Sequence, residues 1–292
     1  MARNAQPGTI TDGEPASAEI PAGSLVHVHD DKGRRLGSAL YSSASQIAIR
    51  MIVRDKIDQK GLLALVRGRI AESVRIRQAI VGNSGSGASD SCRLIFSEAD
   101  LLPGLIVDRY NDLLALQILT QAFDSEPLRR TVLESLADHF PDASLVERVD
   151  ARIRQLEQLL PRESQLLRGE QTSTIFTLNG VRFHFDGLNG QKTGAFLDQR
   201  ENYAAAARYA HGAALDCFTY QGGFALHLAR VCSSVTAVDI SRPALEVAEQ
   251  NERLNQAHHA AGAIEWLEAN AFDLLKDYAA AGRQYDTIVL DP

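Results

Sequence analysis

Cysteine is scarce in this chain. Cys92, Cys217 and Cys232 are the only three in 292 residues, and none stands at a spacing that suits a metal. A scattered, odd-numbered set argues against a disulfide framework and makes a reducing cytoplasm the expected compartment. Long apolar runs are missing as well. No stretch approaches the roughly 18 residues that a membrane-spanning helix needs, so no membrane partner is expected. The opening MARNAQPGTITDGEPASAEI lacks the apolar core of a secretory signal and is rich in Gly, Pro, Ser and Thr; residues 1–20 are expected to be a disordered lead-in. Positive charge is not in excess either. A formal net charge of −7 excludes a generally basic nucleic-acid binder. The distribution is uneven, however. Residues 1–80 carry 12 Lys and Arg against 8 Asp and Glu, whereas residues 81–185 carry 10 against 15 and residues 186–292 carry 8 against 14. Only the first segment has the sign that phosphate attraction favours.

What is present is the composition of a globular protein, 45% hydrophobic and 23% charged, long enough for two or three domains. Residues 24–54 read as short strands broken by a turn at DDKGR, and residues 61–80 as a helix with Leu62, Leu65, Val66 and Arg69 on helical spacing. The segment GNSGSGAS over residues 82–89 has linker composition. A second unit follows. RLIF, LPGLIVDRY and LLALQIL are strand candidates, and residues 126–140 form a helix whose Leu128, Val132, Leu136 and Phe140 recur at four-residue steps as one buried stripe. TIFTLNGVRFHFD predicts a hairpin turning at Asn179 and Gly180.

From Ala213 the rhythm becomes strand, turn, helix, repeated through VTAVDI, AIEWLEA and YDTIVLD. Strands alternating with helices of 10–15 residues predict a parallel sheet with right-handed crossovers. Ser241 is placed to cap the helix that carries Pro243 in its first turn. The fold class is therefore α/β: a β-rich module over residues 21–80, a central α+β domain over 81–185, and an open parallel-sheet domain over 186–292.

Ligands of such sheets bind beyond the carboxyl ends of the strands. The first strand ends in DCFTYQGGF, where Gly222 and Gly223 permit a sharp turn facing the next helix, and the second ends in Asp239, 23 residues after Asp216. A carboxylate at that second position can accept both ribose hydroxyls of an adenosine. No G-x-G-x-x-G cradle for a pyrophosphate occurs. Asp216 instead puts negative charge beside the loop, which suits the ammonium and sulfonium of S-adenosylmethionine (SAM) better than a dinucleotide. Upstream, GQKTGAFLDQR gathers amide, hydroxyl, ammonium, carboxylate and guanidinium groups around two glycines, as a segment lying over a polar ligand would.

These motifs carry a resemblance. GQKTGAFLDQRENY, DCFTYQGGF, VTAVDISRPALEVAEQN and YDTIVLDP resemble the RlmI-type methyltransferases of large-subunit ribosomal RNA, and GRRLGSALYSSASQIAIRMI and FSEADLLPGLIVDRYNDLLALQIL look like that family's N-terminal PUA module and central domain. The resemblance runs from about Gly23 to Pro292. It implies an RNA-binding PUA module, a class I (Rossmann-like) methyltransferase domain and 5-methylcytosine formation in 23S ribosomal RNA, with a homodimer as a candidate assembly. It implies SAM contacts at Asp216, Phe218, Tyr220, Gly222 and Gly223, with Asp239 and Ile240 at the adenosine and Asn270 near the adenine. Gln191, Lys192, Thr193, Gly194, Phe196, Asp198, Gln199 and Arg200 would cover the methionine end. Asp291 and Pro292 begin the Asp-Pro-Pro motif that positions the target base. The sequence departs from the family pattern in three places. Asn270 stands where an Asp is usual, Gln221 replaces a smaller residue in the glycine turn, and no His-Pro-Trp opening of the PUA module precedes Ile20.

Methylating cytosine C5 needs a thiolate that adds to C6. The resemblance puts that cysteine well after the Asp-Pro-Pro motif, beyond Pro292, and none of the three cysteines matches it. Cys217, alternating with Asp216 at a strand end, is expected to be buried filler. A class I sheet places its first four strands in the order 3-2-1-4, and this chain stops on the fourth, so it is expected to be a fragment that alone methylates nothing. The alternatives are methylation of another RNA or another atom, RNA binding without catalysis, and an NAD-dependent oxidoreductase. His27 and His29 share one strand face without a third ligand, and no metal is expected.

Overall fold

The computed structural model describes residues 19–82, 89–189, 196–258 and 264–292. Most of the lead-in at residues 1–20 and most of the linker at 82–89 therefore lie outside the described residues. The N-terminal module is a three-stranded antiparallel sheet of β1 (Leu25–His29), β2 (Arg35–Tyr41) and β3 (Ile49–Val53). The expected turn joins β1 to β2, with Gly33 at φ +74°. His27 Nδ1 lies 3.1 Å from Ser38 Oγ, and no metal-holding group of three or more His, Cys, Asp or Glu occurs among the described residues. Nor is any helix among them long and apolar enough to cross a membrane.

Helix α1 (Gln59–Gly82) follows, then the central sheet of β4 (Ser91–Phe96), β5 (Leu105–Tyr110), β6 (Leu113–Ile118), β7 (Ser144–Glu147) and β8 (Gln165–Arg168), in that order across the sheet. Only β6 and β7 run parallel. Their crossover contains α2 (Gln121–Asp124) and α3 (Glu126–His139), and α4 (Ala151–Leu156) lies between β7 and β8. The predicted stripe on α3 is buried: Leu128, Val132 and Leu136 are at most 1% exposed and Phe140 is 9% exposed.

Successive residues of a strand face opposite sides of a sheet, which explains why β6 is apolar throughout. Leu114, Leu116 and Ile118 enter one core with α1, α3, Leu40 of β2 and Ile52 of β3. Leu113 and Ala115 enter a second core on the other face. The helix over residues 59–82, grouped by sequence with the N-terminal module, thus packs into the central domain.

The second core is built on the antiparallel hairpin of β9 (Ser173–Leu178) and β10 (Val181–Asp186). It turns at Asn179 and Gly180, both at positive φ, as the dipeptide predicts. Phe176, Phe183 and Phe185 from this hairpin meet Tyr110 on one side and Ala214, Ala225, Leu226 and Ala237 on the other, so it joins the central domain to the last one. The outer edge of β10 is covered by helix side chains. Asn255 Oδ1 accepts from Arg182 N at 2.9 Å and Asn251 Oδ1 accepts from His184 N at 2.8 Å, pairing backbone groups that would otherwise form an open edge.

The last domain comprises α5 (Arg200–Tyr209), β11 (Ala213–Cys217), α6 (Gly223–Leu228), β12 (Ser234–Asp239), α7 (Arg242–Asn255), β13 (Glu265–Glu268), α8 (Ala271–Ala280) and β14 (Thr287–Leu290). Its four strands are parallel in the order β13-β12-β11-β14, the 3-2-1-4 arrangement expected. Ser241 caps α7 by accepting from Ala244 N, with Pro243 in the first turn.

Candidate functional site

The carboxyl ends of β11, β12 and β14 open onto one cavity of about 500 Å³. The turn after β11 shapes its floor. Phe218, Tyr220 and Gly222 take left-handed φ values of +66°, +51° and +85°, a run that bends the chain back over the strand end. Glycine is required at 222, because a Cβ there would stand 2.8 Å from the Trp266 ring on top of the positive φ. A Cβ on Gly223 would stand 2.5 Å from the Tyr203 hydroxyl.

Two carboxylates fix this turn from below. Asp239 uses both oxygens on backbone amides: Oδ2 accepts from Tyr220 N and Oδ1 from Ser241 N, each at 2.8 Å. Every carboxylate oxygen has a second lone pair, so Asp239 retains acceptors for a diol. Asp216 is fully buried. Its Oδ2 accepts from Thr219 Oγ1 at 2.5 Å and from Ala225 N at 3.0 Å, while its Oδ1 has no partner. Burial pushes its carboxyl up to about 7, aided by the charges of Asp291 and Asp239 and opposed by the two hydrogen bonds.

Of the residues that sequence assigned to the site, Phe196, Asp198, Gln199, Phe218, Tyr220, Gly223, Asp239, Asp291 and Pro292 line the cavity. Gln191, Lys192, Thr193 and Gly194 lie outside the described residues. The others do not line it, for separate reasons. Asp216 is beneath the turn, holding it, rather than facing a ligand. Gly222 acts through its backbone as the cap of α6. Arg200 pairs with Glu201 at 3.0 Å, and Ile240 points outward, 71% exposed. Asn270 is the N-cap of α8, its Oδ1 accepting from Phe272 N at 2.9 Å and Asp273 N at 3.4 Å. The acceptor that an adenine amino group would need is thereby spent on the helix.

Sequence reasoning missed Tyr203, Thr219, Ser241 and Phe183 as lining residues. Tyr203, Thr219 and Ser241 stood inside quoted motifs and Phe183 inside the predicted hairpin, but none was singled out as a lining residue, because packing is what brings them to the cavity. Cys217 is buried in the small core with Leu215, Val238 and α8, and burial raises its thiol to about 11, with Asp216 adding to the shift. It is filler, as expected.

The described lining includes the carboxylates of Asp198, Asp239 and Asp291 and no Lys or Arg. Such a wall opposes a pyrophosphate and favours a cationic ligand. SAM fits: Asp239 could take the ribose, and the acidic wall would suit its ammonium and sulfonium.

The comparisons with known proteins agree with this geometry. Residues 113–292 match the S-adenosylmethionine-dependent methyltransferase family, and residues 9–54 match the PUA-like domain. The chain is 35% identical over 274 residues to the ribosomal RNA large subunit methyltransferase I of Photobacterium profundum, covering 92% of this chain and 67% of that one. It is 37% identical over 275 residues to the protein of the same name from Shewanella denitrificans, covering 93% and 67%. Among solved structures, a methyltransferase complexed with SAH superposes with a TM-score of 0.78 at 18% identity, covering 94% of this chain and 69% of that one. A SAM-dependent methyltransferase from Streptococcus mutans gives 0.77 at 19% identity, covering 94% and 70%. At those identities the superpositions speak to the fold.

Proposed function

The chain belongs to the S-adenosylmethionine-dependent methyltransferase family, and from that membership we propose that it methylates large-subunit ribosomal RNA at C5 of a cytosine. The observation that carries the reading is the convergence of Asp239, the glycine turn and Asp291 with Pro292 on one cavity at the carboxyl ends of three parallel strands. The names of the relatives supply the RNA, and the PUA-like match over residues 9–54 supports an RNA-binding module.

The cofactor supplies an electrophilic methyl group when bound. This chain's part is to hold and orient. The Asp239 carboxylate takes the ribose hydroxyls, and Tyr220 and Ser241, which donate to the same carboxylate, keep it aimed. Phe218 and Phe272, with ring centroids 5.6 Å apart, form an apolar wall for the adenine. Phe196 meets Tyr220 edge-on at 5.5 Å and brings the segment carrying Asp198 and Gln199 over the cavity. Asp291 and Pro292 form its rim, where the target base enters. None of Cys92, Cys217 and Cys232 is the nucleophile in this reading: Cys217 and Cys232 are buried, and burial raises the Cys92 thiol to about 11.

Deleting the gene from the genome that encodes it, and mapping 5-methylcytosine in 23S ribosomal RNA, tests the substrate. Loss of one site is expected, restored by a plasmid copy. An unchanged methylation map overturns the reading.

A further inference from the structure

Tyr203, from the first turn of α5, is 5% exposed and lines the cavity. Its ring is fixed on three sides. It stacks on His227 at 5.1 Å and 25°, meets Phe224 edge-on at 4.7 Å, and lies against Gly223, whose missing side chain makes room for it. His227 is itself held. Burial lowers its ring to about 4, so it is neutral at pH 7, and its Nδ1 donates to Gly223 O at 2.7 Å. The Tyr203 ring therefore has little freedom, and the position of its hydroxyl is set by packing.

That hydroxyl has no hydrogen-bond partner among the described residues. Because Tyr203 lines the cavity, that hydroxyl is open to a ligand. Burial and the charges of Asp216, Asp198 and Asp291 push the phenol above its ordinary value, so it stays protonated and can donate. Tyr203 shares the cavity wall with Asp198 and Asp291. The ribose belongs at Asp239, so the amino-acid end of the cofactor extends toward Tyr203. That end is a zwitterion. Its ammonium has carboxylates to choose from, but its carboxylate needs a donor, and two of the other described lining groups already donate elsewhere. Thr219 Oγ1 donates to Asp216, and Gln221 Nε2 donates to Tyr220.

We propose that Tyr203 is a cofactor-binding residue whose hydroxyl donates a hydrogen bond to the α-carboxylate of bound SAM. The inference rests on the cofactor reading above and adds to it a residue that discriminates the amino-acid end.

Calorimetry with SAM and with decarboxylated SAM, on the wild-type chain and on Tyr203→Phe, tests it. Phenylalanine keeps the ring and its packing and removes only the donor. Tyr203→Phe is expected to weaken SAM by about tenfold, as loss of one hydrogen bond to a charged acceptor does, and to leave decarboxylated SAM unaffected. Equal loss for both ligands, or no loss for SAM, overturns the inference. A wild-type chain that binds no SAM overturns the cofactor reading itself. Should Tyr203→Phe fail to fold, 3-fluorotyrosine placed at 203 gives a second measurement. Its fluorine resonance is expected to move with SAM and not with decarboxylated SAM, and identical shifts with both overturn the inference.

Discussion

Thr219 donates its hydroxyl to Asp216 Oδ2 at 2.5 Å, and Ala225 N donates to the same oxygen at 3.0 Å, so one buried carboxylate ties both sides of the glycine turn together. The arrangement has a cost that depends on pH. Burial raises this carboxyl from an ordinary 3.8 to about 7. Between those values the unfolded chain has released the proton while the folded chain keeps it. Stability from this group is therefore full below about pH 4 and lost as pH rises to about 7. At about 1.4 kcal/mol per pKa unit, the loss is of order 4 kcal/mol. Asp216→Asn keeps an acceptor for Thr219 and Ala225 but cannot ionise. Urea unfolding of the ligand-free protein from pH 4 to 8 is expected to show wild type losing stability relative to Asp216→Asn. Parallel profiles would count against a raised carboxyl.

Gly222 and Gly223 are adjacent, yet alanine is expected to harm them differently. At 222 the added Cβ meets both a φ of +85° and the Trp266 ring at 2.8 Å. Strain and overpacking together predict a loss of about 2–4 kcal/mol, measurable by chemical denaturation. At 223 the obstacle is the Tyr203 side chain alone, so Gly223→Ala is expected to cost less stability and to weaken SAM binding by displacing that ring. Equal stability losses for the two variants would contradict this division.

The parallel strands, the Asn179 and Gly180 hairpin and the Ser241 cap were legible because each is a local signal, whereas the 3-2-1-4 order came from the family resemblance. The role of Asp216 was legible only in part. Its place at a strand end follows from spacing, but whether a strand-end carboxylate faces a ligand or the turn beneath depends on how the turn folds back. Asn270 was legible in place but not in its helix-capping role. The same strand-to-helix junction that puts a residue near adenine also demands an N-cap, and here the cap takes the side chain. Tyr203 closes the quoted motif GQKTGAFLDQRENY, but nothing there gave it a role, since its neighbours His227 and Phe224 come from another helix and only packing assembles them.

Beneath the central sheet, Glu147 is 1% exposed at its side chain and paired bidentately with Arg129, with Arg162 at 3.3 Å. Arg154 and Arg162 also share Asp124, at 3.1 Å each. Burial pushes the Glu147 carboxyl up, but Arg129, Arg162 and Gln165 outweigh it and hold it below the usual value. A depressed carboxyl stabilises the fold at neutral pH and loses that contribution as pH falls through its lowered value. Arg129→Met is expected to destabilise the protein by about 3–5 kcal/mol, because it leaves a buried carboxylate short of its partner. Glu147→Gln in the same background should recover part of that loss. A double-mutant cycle by urea denaturation at pH 7 measures both, and a cycle with no coupling would show that the network holds nothing together.

Cys217 lies one residue from Asp216 and is the thiol nearest the cavity in sequence, so its inertness is a sharp expectation. It is fully buried beside Leu215 and Val238, and burial lifts its thiol to about 11. The reactive form is the thiolate, and at pH 8 a thiol with that value is ionised at roughly one part in a thousand. A maleimide at pH 8 is therefore expected to leave Cys217 unmodified in the native protein and to modify it at once after denaturation. Cys217→Ala is expected to cost about 1–2 kcal/mol for the atoms it removes from a packed core and to bind SAM as wild type does. Rapid native labelling at Cys217, or loss of SAM binding in the alanine variant without loss of fold, would place this thiol in the cavity and reopen its part in the chemistry.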